Sequence, residues 1–320
     1  MKYNHIGICI GRKCTAACDM CCQSADMDCV EELDFEVVRK YIYSAKDLPY
    51  IESIGFSGGE AFLYFDKLID YVECVKSIDK NATVTTNGFW ASDEDQTMDK
   101  MIKLKEAGVS LIGISYDEFH AKHIPAKNII NILEQAKKLD IHIKIQSCML
   151  NDSKIGSWID NLGSHILGQS VWWFPCYPSG KAKANINDDR YIRTNSIKNQ
   201  RCSTGHAYTV RYDGNIYPCC KILINDTELK IGSIYDENMD VAVTIKLLRN
   251  HNFLYILRNF GFDFYVEIAQ TELSINLPEY VIDACELCSI FFCKENIHRF
   301  IPYVNKKIQT LKHLKTTGVH

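Results

Sequence analysis

The chain has 320 residues, of which 47% are hydrophobic and 24% are charged, and its formal net charge is -4. A chain of this length can bury one large core or two smaller ones, and its charge provides no general attraction to nucleic acid or to acidic membranes. It contains no apolar run that resembles a signal peptide or a membrane span, which predicts a cytoplasmic protein. Because that compartment keeps thiols reduced, the 15 cysteines indicate metal or redox chemistry instead of disulfides.

Six short apolar runs alternate with amphipathic stretches over the first half of the chain. The strand-like runs are "HIGICI", "IESIGFSGG", "ATVTTNG", "LIGISYD", "IHIKIQSCML" and "SVWWFPCYPSG". This alternation predicts an α/β fold with parallel strands and right-handed crossovers, whose functional site lies beyond the carboxyl ends of the strands. In the sixth run, Trp172, Trp173 and Phe174 are expected to form core, with one of them facing the cavity.

The pattern changes after about residue 185. A polar connector is followed by the hairpin-like "YTVRYDGNIYPCC", which turns at Asp213 and Gly214, and then by mostly helical sequence. We therefore predict a larger domain over residues 1–190 and a smaller α+β domain with a helical tail over residues 191–320.

Three cysteines in the loop after the first strand have the spacing C-x3-C-x2-C, formed by Cys14, Cys18 and Cys21. One loop with this spacing can hold three corners of an iron-sulfur cluster. A structural zinc site would normally use four ligands, whereas three leave one coordination position open for a ligand. The neighbouring Cys22 is then expected to be a packing residue and not a ligand.

The loop and three further motifs resemble the radical S-adenosylmethionine (SAM) superfamily. These motifs are "SGGE" at 57 to 60, "TTNG" at 85 to 88 and "ISYDEFH" at 114 to 120. The resemblance implies a partial (β/α)6 TIM-like barrel over residues 1–190 and a catalytic 4Fe-4S cluster whose open iron binds SAM. The residues that it places around SAM are Met20, Gly58, Gly59, Glu60, Asn87 and Ser115. The alternative is a zinc-stapled α/β domain in which the Gly-Gly turn is only a turn.

A second set of cysteines comes from three separate segments, namely Cys202, Cys219 and the pair Cys285 and Cys288. Four thiolates suit a second iron-sulfur cluster or a zinc ion. Similar cysteines bind an auxiliary 4Fe-4S cluster in SPASM or twitch domains of peptide-modifying radical SAM enzymes, so the resemblance favours iron and sulfur. Cys293 is a reserve ligand.

Cys220 follows a predicted ligand directly. In extended backbone, neighbouring side chains point to opposite sides, so Cys219 at the cluster would turn Cys220 toward the cavity as a hydrogen-atom donor. The alternative is an inert buried thiol.

A narrower resemblance, to radical SAM peptide epimerases of the epipeptide type, rests on "ISYDEFHA", "DGNIYPCC", "ILRNFGF" and the late C-x2-C. It implies an isomerase of peptide maturation: the 5'-deoxyadenosyl radical removes an α-hydrogen from an L-residue of a ribosomally made precursor peptide, and Cys220 returns a hydrogen to give a D-residue. The expected partners are that peptide and an electron donor such as flavodoxin or ferredoxin, with no nucleic acid and no membrane. A peptide-crosslinking enzyme and a non-catalytic metal-binding scaffold are the alternatives.

The remaining expectations concern polar side chains near the fourth strand and the path of the peptide. Asp117 and Glu118 are candidates for contact with SAM or peptide, and His120 and His123 are expected in supporting or surface roles. The peptide is expected to lie extended near "YTVRYDG" and to pair with an exposed strand there.

Overall fold

The computed structural model describes residues 3–202 and 205–317. Its first half alternates strands with helices, as the apolar runs predict. The strands are β1 (His5–Cys9), β2 (Ser53–Ser57), β3 (Asn81–Thr86), β4 (Val109–Ser115), β5 (His142–Met149) and β6 (Ser170–Pro175). The helices are α1 (Phe35–Tyr43), α2 (Phe65–Ser77), α3 (Glu94–Ala107), α4 (Ala126–Leu139) and α5 (Ile155–Leu162).

The six strands pair in parallel in chain order, which confirms the predicted partial barrel. Alternate residues of each strand face opposite sides of the sheet. Ile6, Ile8, Ile54 and Phe56 belong to the outward-facing set, and each is at most 1% exposed. The helices cover this apolar face, and the other face looks into the barrel.

The second half begins with a short helix and contains small strands followed by helices. The strands are β7 (Asn195–Ser196), β8 (Ala207–Val210), β9 (Asn215–Tyr217), β10 (Gly232–Ser233) and β11 (Tyr280–Val281). The helices are α6 (Lys181–Asn185), α7 (Val241–Asn250), α8 (Asn252–Phe260), α9 (Asp263–Thr271), α10 (Ala284–Phe291) and α11 (Ile297–Thr317). None of the helices in the described ranges is both long and apolar enough to cross a bilayer.

The sheet continues past the predicted domain boundary. β8 pairs in parallel with β1, and the hairpin β8–β9 and then β10 extend the sheet to nine strands in the order β10-β9-β8-β1-β2-β3-β4-β5-β6. The hairpin turns where predicted, with Gly214 at φ +80. The Tyr41 hydroxyl on α1 meets the hydroxyls of Tyr208 on β8 at 2.9 Å and Thr244 on α7 at 2.8 Å. These buried contacts stabilise the junction of the two halves, and the boundary at residue 190 stays a prediction.

The prediction that both tryptophans of β6 form core is wrong. Trp172 is 60% exposed and Trp173 is 39% exposed, although Trp173 packs against Trp158 of α5 with ring centroids 5.5 Å apart. The physical reason is the position of β6 at the end of the sheet, where a strand has a neighbour on one side only. Phe174 is partly buried and is the member of the trio that reaches the cavity described below.

Candidate active site

A cavity of about 180 Å³ lies at the carboxyl ends of the barrel strands. The loop after β1 contributes Cys14, Cys18 and Cys21 to its wall. Cys14 and Cys18 are 7% and 4% exposed. The structure brings all nine residues predicted for this site to one lining: Cys14, Cys18, Met20, Cys21, Gly58, Gly59, Glu60, Asn87 and Ser115.

The Gly-Gly turn after β2 packs directly against the backbone of the cysteine loop. Gly59 donates its N–H to Gly11 at 2.9 Å, and Glu60 donates its N–H to Lys13 at 2.9 Å. A Cβ at Gly58, where φ is +150, would lie 2.3 Å from the Gly11 carbonyl oxygen. A Cβ at Gly59 would lie 2.2 Å from the Arg12 oxygen, so a side chain at either position would force the two loops apart.

Glu60 is a buried carboxylate that binds neighbouring backbone and side-chain donors. Its Oε1 accepts from the Phe62 N–H at 3.0 Å and from the Thr86 hydroxyl at 2.8 Å, and its Oε2 accepts from the Asn87 N–H at 2.7 Å. Burial raises the pKa of Glu60 to about 7 even though these hydrogen bonds oppose the shift. The described lining residues include no Lys or Arg. His120 is the one basic side chain of the described lining and attracts the Glu60 carboxylate, and a ligand with an ammonium or sulfonium group would add a second positive charge beside it.

Asn87 bridges the third strand and the cysteine loop. Its Nδ2 donates to the Cys14 Sγ at 3.6 Å and to the Thr15 Oγ1 at 3.3 Å. The residue is 5% exposed. Asn87 therefore both supports the cysteine loop and lines the cavity, whereas the sequence predicted only a contact with SAM.

Asp117 and His120 form a buried pair beside the same cavity. The Asp117 Oδ1 accepts from the Phe119 N–H at 3.0 Å and lies 2.8 Å from the His120 Nδ1, and its Oδ2 accepts from the Cys148 N–H at 3.0 Å. Burial opposes the shift, but attraction to Asp117 raises the pKa of His120 above its usual value. His120 lines the cavity, while His123 is exposed.

Several cavity residues escaped the sequence reasoning, among them Gln23, Cys148 and Cys176. The Gln23 Oε1 is buried and has no hydrogen-bond partner among the described residues, while its Nε2 donates to the Gly58 oxygen at 3.4 Å. Cys148 and Cys176 also line the cavity. Both cysteines lie near the carboxyl ends of the last two barrel strands, a position that could have distinguished them from ordinary buried thiols.

The later cysteines surround a second cavity of about 210 Å³. Its lining contains Cys202, Cys219, Cys285 and Cys288, which come from three segments of the chain. Asp283 caps α10 by accepting the Cys285 N–H at 2.8 Å, and this cap fixes the start of the helix that carries the late pair. The reserve residue Cys293 is not part of the lining, and its Sγ donates to the Ile290 oxygen at 3.3 Å.

The adjacent cysteines 219 and 220 direct their sulfur atoms to different places. Cys219 lines the second cavity, whereas the Cys220 Sγ donates to the Tyr208 oxygen at 3.3 Å. A Cβ on Gly7 would lie 2.9 Å from the Cys220 Sγ. Gly7 shares its face of β1 with Cys9, whose Sγ lies 3.8 Å from the Nε2 of the cavity residue Gln23. Cys220, which is an exposed residue, thus faces the same side of β1 as Gly7, but it is not part of the lining of either cavity, so its predicted position at the first cavity stays a prediction.

In neither cavity do the cysteine side chains meet around a single metal-sized position. Within residues 3–202 and 205–317, no three His, Cys, Asp or Glu side chains are close enough together to hold a single metal ion. The cysteines instead surround open volumes of about 180 and 210 Å³. Thiolates that bind separate corners of a cluster are spread in this way, whereas zinc draws its sulfur ligands to about 2.3 Å.

Comparison with known proteins agrees with this geometry. Residues 8–157 match the family described as the Radical SAM superfamily. The putative peptide biosynthesis protein YydG of Bacillus subtilis (strain 168) is 29% identical over 308 residues, which cover 94% of this chain and 96% of that protein. The structure of native anSMEcpe with bound AdoMet and Cp18Cys peptide has a TM-score of 0.56 and 16% identity, and the match covers 96% of this chain and 99% of that chain. At this identity the structural likeness shows the fold. The sequence match identifies residues 8–157 as a radical SAM domain.

Proposed function

We propose that this protein is a radical SAM peptide epimerase, an isomerase that converts L-residues to D-residues in a ribosomally made precursor peptide. The observation that supports the proposal is the divergence of Cys219 and Cys220, because Cys219 lines the four-cysteine cavity while the Cys220 Sγ lies against Gly7 of β1. The similarity to YydG, whose name describes peptide biosynthesis, supports a peptide as substrate. We also propose that the protein acts in the cytoplasm, as its sequence predicts.

The first cavity fits the cofactors that a radical SAM domain implies, a 4Fe-4S cluster and SAM. Cys14, Cys18 and Cys21 are the proposed cluster ligands, and three ligands leave one iron open. Glu60 is proposed to hold the SAM amino group, since its buried carboxylate lacks a Lys or Arg partner in the lining. Together with the cluster, SAM held by these residues would supply the radical that removes the α-hydrogen of the peptide.

The second cavity is proposed to hold an auxiliary 4Fe-4S cluster on Cys202, Cys219, Cys285 and Cys288. The spread of these residues around about 210 Å³ favours a cluster over a single zinc ion. Four protein ligands would close the coordination of that cluster, so its role differs from that of the first one.

Cys220 is proposed to return the hydrogen. Its S–H bond breaks, the hydrogen atom bonds to the α-carbon radical, and a sulfur radical remains that regains one electron and one proton. Placement within about 3–3.5 Å of the carbon supplies much of the rate advantage of such a step. An electron donor such as flavodoxin or ferredoxin would provide the electrons.

Peptide crosslinking is the second candidate, because it would use the same first cavity and the same radical start. The two outcomes differ in the fate of the carbon radical, which bonds to another peptide atom in crosslinking and to hydrogen in epimerisation.

Mass spectrometry distinguishes the two. The anaerobically reconstituted enzyme is incubated in deuterated water with peptides encoded beside its gene. Epimerisation adds one deuterium at each modified residue and leaves the mass unchanged in ordinary water, whereas crosslinking removes two hydrogens in either solvent. A crosslinked product would replace the epimerase proposal, and the absence of both SAM cleavage and peptide change would overturn it.

A further inference from the structure

β6 is the one barrel strand with a free edge. It pairs with β5 on one side, and within the described residues no backbone hydrogen bond joins its other side to another segment. β8, which contains the first three residues of "YTVRYDG", pairs with β1 on one side and β9 on the other. A peptide therefore cannot pair with β8 itself, because both of its edges are already paired, while a peptide path near this segment stays a prediction.

Exposed apolar side chains lie at this edge and just before it, as they also do elsewhere on the surface. Trp172 is 60% exposed, and Leu167, shortly before β6, is 77% exposed. Trp172 and Phe174 share one face of β6, and Phe174 lines the first cavity. An exposed apolar patch that continues into a cavity is typical of a ligand entrance.

The interior beside this edge carries a positive charge that no carboxylate balances. Lys144 on β5 is half-buried, and its Nζ lies over the ring of Trp172. Lys144 forms no ion pair within the described ranges, and burial lowers its pKa to about 8. The six barrel strands contain no Asp or Glu. An acidic side chain of a ligand would meet a partly desolvated ammonium group without competition.

We propose that the substrate peptide docks as an added strand on the free edge of β6, with an acidic side chain paired to Lys144 beside Trp172. This docking proposal depends on the proposed function only in assuming that the substrate is a peptide. An added strand obtains affinity from main-chain hydrogen bonds and turns every second side chain to the same face, where pockets can select them. Such a strand would run along Trp172 to Phe174 and so reach the first cavity.

The charge requirement can be measured with two fluorescein-labelled probes, Val-Glu-Thr-Glu-Val-Glu-Thr and its counterpart with Gln in place of each Glu. Anisotropy is recorded on the full-length, anaerobically purified protein. We expect the Glu probe to bind about tenfold more tightly than the Gln probe. Lys144→Gln should remove this difference, while Lys137→Gln, on the exposed face of α4, should preserve it. Equal affinity of the probes for the unaltered protein, or absence of binding, would overturn the proposal.

The main-chain requirement has its own test. Two versions of the Glu probe are N-methylated at alternate residues, so that each version loses hydrogen-bond donors along one edge. Strand addition predicts that one version loses binding and the other retains it. Retention by both versions would contradict pairing with β6.

These measurements need neither SAM nor reductant, so they are separate from catalysis. If peptides are epimerised with the same KM by the unaltered protein and by Lys144→Gln, the docking proposal fails while the epimerase proposal stands. If the probes bind as expected but no peptide is epimerised, the epimerase proposal fails and the docking proposal stands.

Discussion

The two cysteine cavities are built in opposite ways. The first takes its three cysteines from one loop after β1, and the remaining lining comes from neighbouring strand ends. The second gathers four cysteines from three separate segments between Cys202 and Cys288. A three-cysteine loop leaves space for a ligand at the metal, while a four-cysteine set closes it. Under the proposed assignment of the two clusters, radical chemistry starts in the first cavity and the second supports a later step.

Removing one cysteine of the first cavity is expected to have the largest effect. Cys18→Ala should eliminate detectable deoxyadenosine formation and reduce the iron content from about eight to about four per chain. Iron analysis and chromatography of SAM cleavage products measure both quantities. Cys22→Ala is the matched control, because Cys22 lines the same cavity but is not a proposed ligand. Loss of iron in the control as well would show that the ligand set is wrong.

A substitution in the second cavity should separate SAM cleavage from product formation. Cys288→Ala is expected to lose about four irons per chain and the epimerised product, while it still forms deoxyadenosine. The control is Cys293→Ala, which lies outside the lining and should retain both clusters. Full epimerisation by Cys288→Ala would contradict a role for the second cavity.

A smaller effect is expected from Glu60→Gln. The substitution preserves shape but removes the buried negative charge, so the Kd for SAM should rise about tenfold in equilibrium dialysis. Glu118→Gln is a suitable control, because Glu118 does not line the cavity. Unchanged SAM affinity in Glu60→Gln would mean that the carboxylate does not meet the SAM amino group.

The first cavity was more predictable than the second for a physical reason. Parallel strands place their carboxyl ends together, so residues such as Glu60 and Ser115 could be assigned to one site from their strand positions. No comparable rule joins Cys202 to Cys288, and the resemblance to auxiliary-cluster domains was needed to group them. The exposure of Trp172 could not be predicted because a strand's pattern does not reveal that it lies at the end of the sheet. Cys148 was set aside because a lone cysteine in a strand is usually inert packing.

The division of labour between Cys219 and Cys220 is the central claim, and Cys220→Ala in deuterated water tests it most directly. The variant should retain both clusters, cleave SAM and remove the α-hydrogen, yet it should yield no D-residue and incorporate no deuterium at the α-carbon by thiol transfer. Chiral amino-acid analysis and mass spectrometry of the same peptide measure this. Deuterium incorporation and D-residue yield equal to those of the unaltered enzyme would contradict the claim.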